Sequence, residues 1–307
     1  MRTKLITLIT FWLSFNSLSL LAADVHELPE NLKRGLVLHF DFDTEPAGGK
    51  IADVSGANNN GQLVGATWVA EGHQGGACRF TPPNEYIHVP NSSSLNPPQV
   101  TLSVWIKTSR HDNTFRRVVD KDYKTGYSLT IGGAPPPYSR GRAYFEINCQ
   151  SEWAHRAIAS DEPVNDGRWH HLVGTFDTSG QRLYVDGHLQ KRILRDRRDL
   201  LPNDSDLTIG MNPVNPTPGE VGASFDGLVD DVMIFNRGLS TEEVQMLYNL
   251  QKVATDEAMP SKTPPANPPP AKPDAATRLK QVKQLYDQGL INKDEYDRKV
   301  KEIMDSL

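Results

Sequence analysis

The sequence predicts a mainly β protein: two antiparallel sheets packed as a sandwich, followed by a proline-rich linker and a small α-helical hairpin. Three observations predict it. The stretch from Asn165 to Asp177 opens on a polar turn and continues as an alternating apolar run. A second run, Gln181 to Leu189, is broken by Asp186-Gly187, a dipeptide that supplies the positive φ angles of a tight hairpin turn. Short apolar runs recur from Leu36 to Phe235, punctuated by Gly, Pro, Asn and Asp and without intervening helices.

The elements follow in chain order. Arg2 and Lys4 precede an apolar run from Leu5 to Leu21 that ends in Ala22-Ala23, the layout of a secretory signal peptide over residues 1–23. The mature chain is expected to begin near Asp24 and to be exported, to the periplasm or the extracellular space, with no membrane span after signal removal. An uncleaved membrane anchor is the alternative for the same run. Strands are expected at Leu36–Phe40, Val100–Ile106, Tyr127–Ile131, Ala143–Ile147, Leu207–Ile209 and Leu228–Phe235. In Trp169–Phe176 alternate residues face opposite ways: Trp169, His171, Val173 and Thr175 on one side, His170, Leu172, Gly174 and Phe176 on the other. Ser240 and Glu243 form a capping box that starts a short helix through Tyr248 and closes a domain spanning 24–250.

Residues 251–276 are the linker, whose prolines favour an extended spacer. In 277–307, Leu279, Val282, Leu285 and Tyr286 share one helical face, Gly289 ends that helix, and Asn292 with Glu295 starts another striped by Tyr296, Val300 and Ile303. About 30 residues bury too little surface to stand alone, so this hairpin is expected to self-associate as a homo-oligomer, to dock on a partner or to fold back on the sandwich.

The chain of 307 residues is 37% hydrophobic and 23% charged, with net charge −5, a balance that argues against nucleic acid as the main partner. Cys78 and Cys149 each alternate with inward apolar neighbours, which is compatible with two buried thiols or with one disulfide.

Two resemblances add to this reading. The string Asp166-Gly-Arg-Trp-His-His-Leu-Val173 and the Leu183–Gly187 run resemble the laminin-G-like, concanavalin A-like jelly roll. So do Phe42-Asp43, the Asp53–Gly61 loop, Gly75–Phe80 and Phe225–Ser240. Leu285–Tyr296 is similar to the core of the short C-terminal domain called SHOCT. The first resemblance implies one structural calcium, held by Asp43, the Ser55–Asn60 loop with the Asn60 side chain, and Asp230. Ca²⁺ takes six to eight oxygens, and these segments offer carboxylates, an amide and carbonyls.

Candidate chemistry is sparse. His170 and His171 are neighbours on a strand, point to opposite faces and cannot chelate together. Glucanases of this fold arrange carboxylates as Glu-x-Asp-x-x-Glu, a string missing here; Asp41 with Asp43 and Asp120 with Asp122 share faces but lack the third acid. Cationic side chains concentrate at Arg192, Arg195, Arg197 and Arg198, with Arg110, Arg116, Arg117, Arg140 and Arg142 elsewhere, and guanidinium forks suit the anionic groups of an acidic polysaccharide. Trp153, Tyr86, Tyr123 and Tyr138 are candidates for stacking on sugar rings. The functional expectation is a non-catalytic module that binds carbohydrate or a protein partner. A divergent polysaccharide hydrolase or lyase and a purely structural envelope protein are the alternatives.

Overall fold

A computed structural model describes residues 28–111, 114–132, 141–148, 155–194, 199–211, 224–258, 283 and 293–304. The expected signal segment lies outside the described residues. The strands are β1 (Leu36–Phe40), β2 (Lys50–Ile51), β3 (Gly61–Val64), β4 (Thr67–Val69), β5 (Ala77–Phe80), β6 (Tyr86–Val89), β7 (Val100–Lys107) and β8 (Arg116–Lys121). They continue as β9 (Tyr127–Gly132), β10 (Arg142–Asn148), β11 (His155–Pro163), β12 (Trp169–Asp177), β13 (Gly180–Val185), β14 (His188–Leu194), β15 (Leu207–Ile209) and β16 (Gly227–Phe235). They build two eight-stranded antiparallel sheets, one ordered β14-β13-β12-β7-β16-β5-β4 with β1 on β16, the other β11-β10-β9-β8-β15-β6-β3-β2. All six expected strands form, within one residue at each end. The expected Asp186-Gly187 turn joins β13 to β14 with φ of 51° and 75°.

The core lies between the sheets and takes the inward residues of both, among them Phe40, Phe80, Ile106, Leu129, Phe145, Leu172 and Val229. Gly174 is a packing requirement: a Cβ there would stand 2.3 Å from the Phe145 ring, which lies against β12. Cys78 is a free thiol at 0% exposure in this core, and burial, then the charge of Asp230, pushes its pKa up. That answers the sulfur question for Cys78; Cys149 lies outside the described residues.

Part of the outer face of the first sheet is buried as well. A short helix α1 (Glu30–Lys33) and a long one, α2 (Thr241–Ala258), cover it. Leu32, Val173, Tyr184, Met233, Phe235, Val244 and Leu247 form a second apolar cluster there. The capping box at the start of α2 is reciprocal: Glu243 N donates to Ser240 Oγ at 3.2 Å, and Ser240 N donates to the Glu243 carboxylate at 2.9 Å. The helix runs ten residues beyond the expected end at Tyr248, because no Gly or Pro interrupts it before Pro260. The helix therefore takes in the first residues assigned to the linker.

Beneath α2 sits an aromatic stack. His73 lies on Trp105 with centroids 3.5 Å apart, and His171 and Tyr248 stack on the same indole at 5.0 and 5.7 Å. Trp105 Nε1 donates to Gln251 Oε1 at 2.8 Å, and His171 Nε2 is hydrogen-bonded to Ser103 Oγ at 2.8 Å. His170, on the opposite face as expected, pairs with Asp186 at 2.8 Å and Asp166 at 3.1 Å.

The chain divides into two compact units, Met1–Ala258 and Met259–Leu307. In the second, Lys283 is helical and Lys293–Met304 forms helix α3, with Tyr296 and Val300 half-buried. The residues expected to stripe and end the first helix of the hairpin lie outside the described residues.

Burial pulls the His171 imidazole from its ordinary value down to about 3, with His73 adding to the effect and Asp186 opposing it. His171 thus stays neutral when folded and protonates near 6.5 when unfolded, so stability is fully present above that pH and falls as pH drops towards about 3. By pH 4 the loss from this group is about 3 kcal/mol. His170 works in the opposite sense, because its hydrogen bond to Asp186 raises its pKa. Urea unfolding of the His171→Gln variant between pH 7 and 4 is expected to show a flatter acid slope than the parent. Equal slopes would assign the acid sensitivity to other groups.

Candidate ligand-binding site

Strand register places four side chains in a row on the outer face of the first sheet, beyond the helix-covered cluster. Arg79 on β5 pairs with Leu228 on β16, Leu228 with Lys107 on β7, and Lys107 with Trp169 on β12. Directly paired residues share a face, and neighbouring strands lie about 5 Å apart, so Arg79 and Lys107 bracket Leu228 with about 10 Å between their Cα atoms. Arg79 and Lys107 are exposed, Trp169 is half-buried, and Leu228 forms a floor at 9% exposure.

This row borders an open cleft of about 500 Å³ lined by Arg79, Lys107, Arg110, His111, Asp226 and Leu228, among others. Its wall is built by hydrogen bonds. Thr108 Oγ1 donates to the Asp226 carbonyl at 2.6 Å and accepts from Arg110 N at 3.2 Å, and Gly167 N donates to the Thr108 carbonyl at 2.9 Å. Asn165 Nδ2 donates to the Arg110 carbonyl at 2.8 Å and lies 2.9 Å from His111 Nδ1. Gly227 is required here, since a Cβ would lie 2.3 Å from the Lys107 carbonyl. Arg110 reaches the Asp226 carboxylate at 3.3 Å, with the two side chains 49% and 33% exposed. Three basic side chains, Arg79, Lys107 and Arg110, therefore line the cleft with one carboxylate, that of Asp226.

The second sheet carries charge on its outer face too, in a different state. Arg117 Nη1 donates to Glu146 Oε2 at 2.6 Å and to Thr130 Oγ1 at 3.0 Å, and its Nε lies 3.5 Å from Asp120 Oδ2. Ser128 Oγ donates to the same Glu146 oxygen at 2.7 Å, and the guanidinium lies 3.9 Å from the centre of the Tyr123 ring. Arg117, Asp120 and Glu146 are 5%, 1% and 6% exposed. Asp120 is thus held in an ion-pair cluster, and Tyr123 backs a guanidinium. Arg116 and Arg117, expected to add to surface charge, are instead buried; Arg116 donates to the Ser224 carbonyl at 2.5 Å.

Of the residues singled out from the sequence, Arg192 is exposed on β14 opposite Arg182, while Trp153, Arg195, Arg197 and Arg198 lie outside the described residues. Asp230 and Asp43 approach the 72–76 loop from two sides: a Cβ on Gly72 would meet an Asp230 oxygen at 2.7 Å, and one on Gly75 would clash with Asp43. The Asp230 carboxylate accepts three backbone amides, from His73 at 2.8 Å, Gln74 at 3.0 Å and Asp231 at 2.7 Å. Burial, then repulsion from Asp231, holds its pKa well above the usual range against those amides. Asn60 is engaged elsewhere, its Oδ1 accepting from Asp53 N at 2.9 Å. Among the described residues no three His, Cys, Asp or Glu side chains form a metal-binding group. Of the set that the resemblance implies for Ca²⁺, Asp43 and Asp230 thus border one loop, three amides take part of the Asp230 carboxylate, and Asn60 is engaged with Asp53.

Removing one member of a buried ion cluster strands the others. Arg117→Leu leaves Asp120 and Glu146 buried without their cation and is expected to cost about 3–5 kcal/mol in urea unfolding. A cost below about 1 kcal/mol would mean that the cluster is solvated.

Residues 81–245 match the family model of the concanavalin A-like lectin/glucanases superfamily, and residues 277–304 match the short C-terminal domain, SHOCT. No curated protein matches the chain. Among solved structures, the binding domain of Paraclostridial mosquitocidal protein 1 is similar with a TM-score of 0.56 at 20% identity, over 71% of this chain and 52% of that one. The binding domain of botulinum neurotoxin DC in complex with rat synaptotagmin II gives 0.54 at 13% identity, over 71% and 52%. Domain 4 of AbnA, an extracellular arabinanase from Geobacillus stearothermophilus in complex with arabinotriose, gives 0.53 at 17% identity, over 69% and 98%. The chain spans about half the length of the two toxin binding domains. At these identities the likeness is one of fold. With more than half of its residues matched by that family model, the chain belongs to the concanavalin A-like lectin/glucanases superfamily.

Proposed function

We propose that the protein is an exported, non-catalytic carbohydrate-binding module whose ligand seat is the cleft at the ends of β5, β7 and β16. The observation that carries this reading is the contrast between two sets of charges. Those of the cleft are exposed around a 500 Å³ space. Those on the second sheet, Asp120 and Glu146, are buried and joined through Arg117. A glycosidase needs two carboxylates that reach substrate across a groove, one of them free to exchange a proton. Two structural neighbours, one holding arabinotriose and one holding synaptotagmin II, support a recognition role for this scaffold. Export is supported by the charged and apolar order of residues 1–23, and the second unit is assigned to self-association.

A glycan array probed with the full chain is expected to give saturable retention on a subset of polysaccharides, with no reducing ends released on prolonged incubation. Sugar release would overturn the non-catalytic reading, and no retention on any glycan would overturn the carbohydrate reading. Deleting residues 277–307 is expected to lower the particle mass in light scattering to that of a monomer. A monomeric parent would remove self-association.

A further inference from the structure

We infer that the cleft selects an acidic saccharide, one whose sugar units carry carboxylate or sulfate groups; the inference rests on the carbohydrate-binding reading above. Its argument begins with charge. Arg79, Lys107 and Arg110 line the cleft against the single carboxylate of Asp226. The chain as a whole carries a net charge of −5 and repels polyanions, so attraction must come from a local positive field. The carboxylate that lines the cleft is already shared, since Asp226 accepts from Arg110 at 3.3 Å.

Shape completes the argument. Lys107 and Arg79 stand on either side of Leu228, and Trp169 follows Lys107 in the same row. A pyranose ring has a C–H face and a polar rim, so an apolar floor between two cations seats the ring while its oxyanion reaches a guanidinium or ammonium. Arg offers a planar fork that matches carboxylate geometry, and Lys a compact point charge. A small inorganic anion would use only the cations. The Leu228 floor has a role only if the anion is attached to a body with an apolar face.

The test uses one polymer backbone in three charge states: dextran, carboxymethyl dextran and dextran sulfate, each in affinity electrophoresis with the full chain. Carboxymethyl dextran or dextran sulfate is expected to bind at least about tenfold more tightly than dextran, weakening as salt rises. The two charged polymers also report which oxyanion is preferred. In the double variant Arg79→Gln with Lys107→Gln, both exposed positions, binding is expected to fall by about tenfold or more at an unchanged melting midpoint. Arg192→Gln, on the exposed β14 edge, is expected to bind as the parent does. Equal binding to dextran and its charged forms would overturn the selection of acidic sugars while leaving carbohydrate binding standing. An equal loss in Arg192→Gln, or none in the double variant, would remove the cleft as the site. No retention on these polymers or on the glycan array would overturn both readings.

Discussion

The structure depends on one sheet whose central strands are covered on both faces. The first sheet meets the second across the main core, and α1 and α2 seal its other face over Val173, Tyr184, Met233 and Phe235. Burying apolar surface yields about 25 cal/mol per Å², so a sheet covered on both faces gains stabilisation from nearly every residue of its central strands. Polar groups trapped by that cover bond to one another: Trp105 to Gln251, His171 Nε2 to Ser103, and Thr101 to the Arg237 carbonyl at 2.8 Å. Beyond the reach of α2 the same face is open, and there the outward residues are Arg79, Lys107 and Trp169.

The hidden helix register is also pinned electrostatically. Arg237 donates to both oxygens of Glu243, at 2.8 and 2.9 Å, and to the carbonyls of Asn31 and Arg34 at 2.7 Å. One guanidinium therefore ties the end of β16, the first turn of α2 and the α1 segment. Both side chains are less than one-fifth exposed, so solvent screens the pair weakly.

Much of the fold was legible because it is local. Alternation located the strands, Asp186-Gly187 a turn, and Ser240 with Glu243 the first turn of α2. What escaped was set by contacts between distant parts of the chain. The burial of His171, on the face away from the second sheet, follows from a helix more than 70 residues later, and Arg116 and Arg117 read as surface charge until their strand was paired. For the cleft, the outward aim of Arg79 was present in the alternation of Cys78, Arg79 and Phe80, yet its juxtaposition with Lys107 requires β5, β16 and β7 to be neighbours. That order is a property of the topology, invisible to any window along the sequence. The surroundings of Asp230 were hidden for a related reason, since no residue pattern discloses the three backbone amides that its carboxylate accepts.

Cys78 draws out a kinetic side of the same packing. Its sulfur lies wholly within the inter-sheet core, and burial holds it in the unreactive protonated form. An alkylating reagent or oxidant meets that sulfur only when β5 separates from its neighbours, so its rate of modification measures how often the sandwich breathes and not how accessible its surface is.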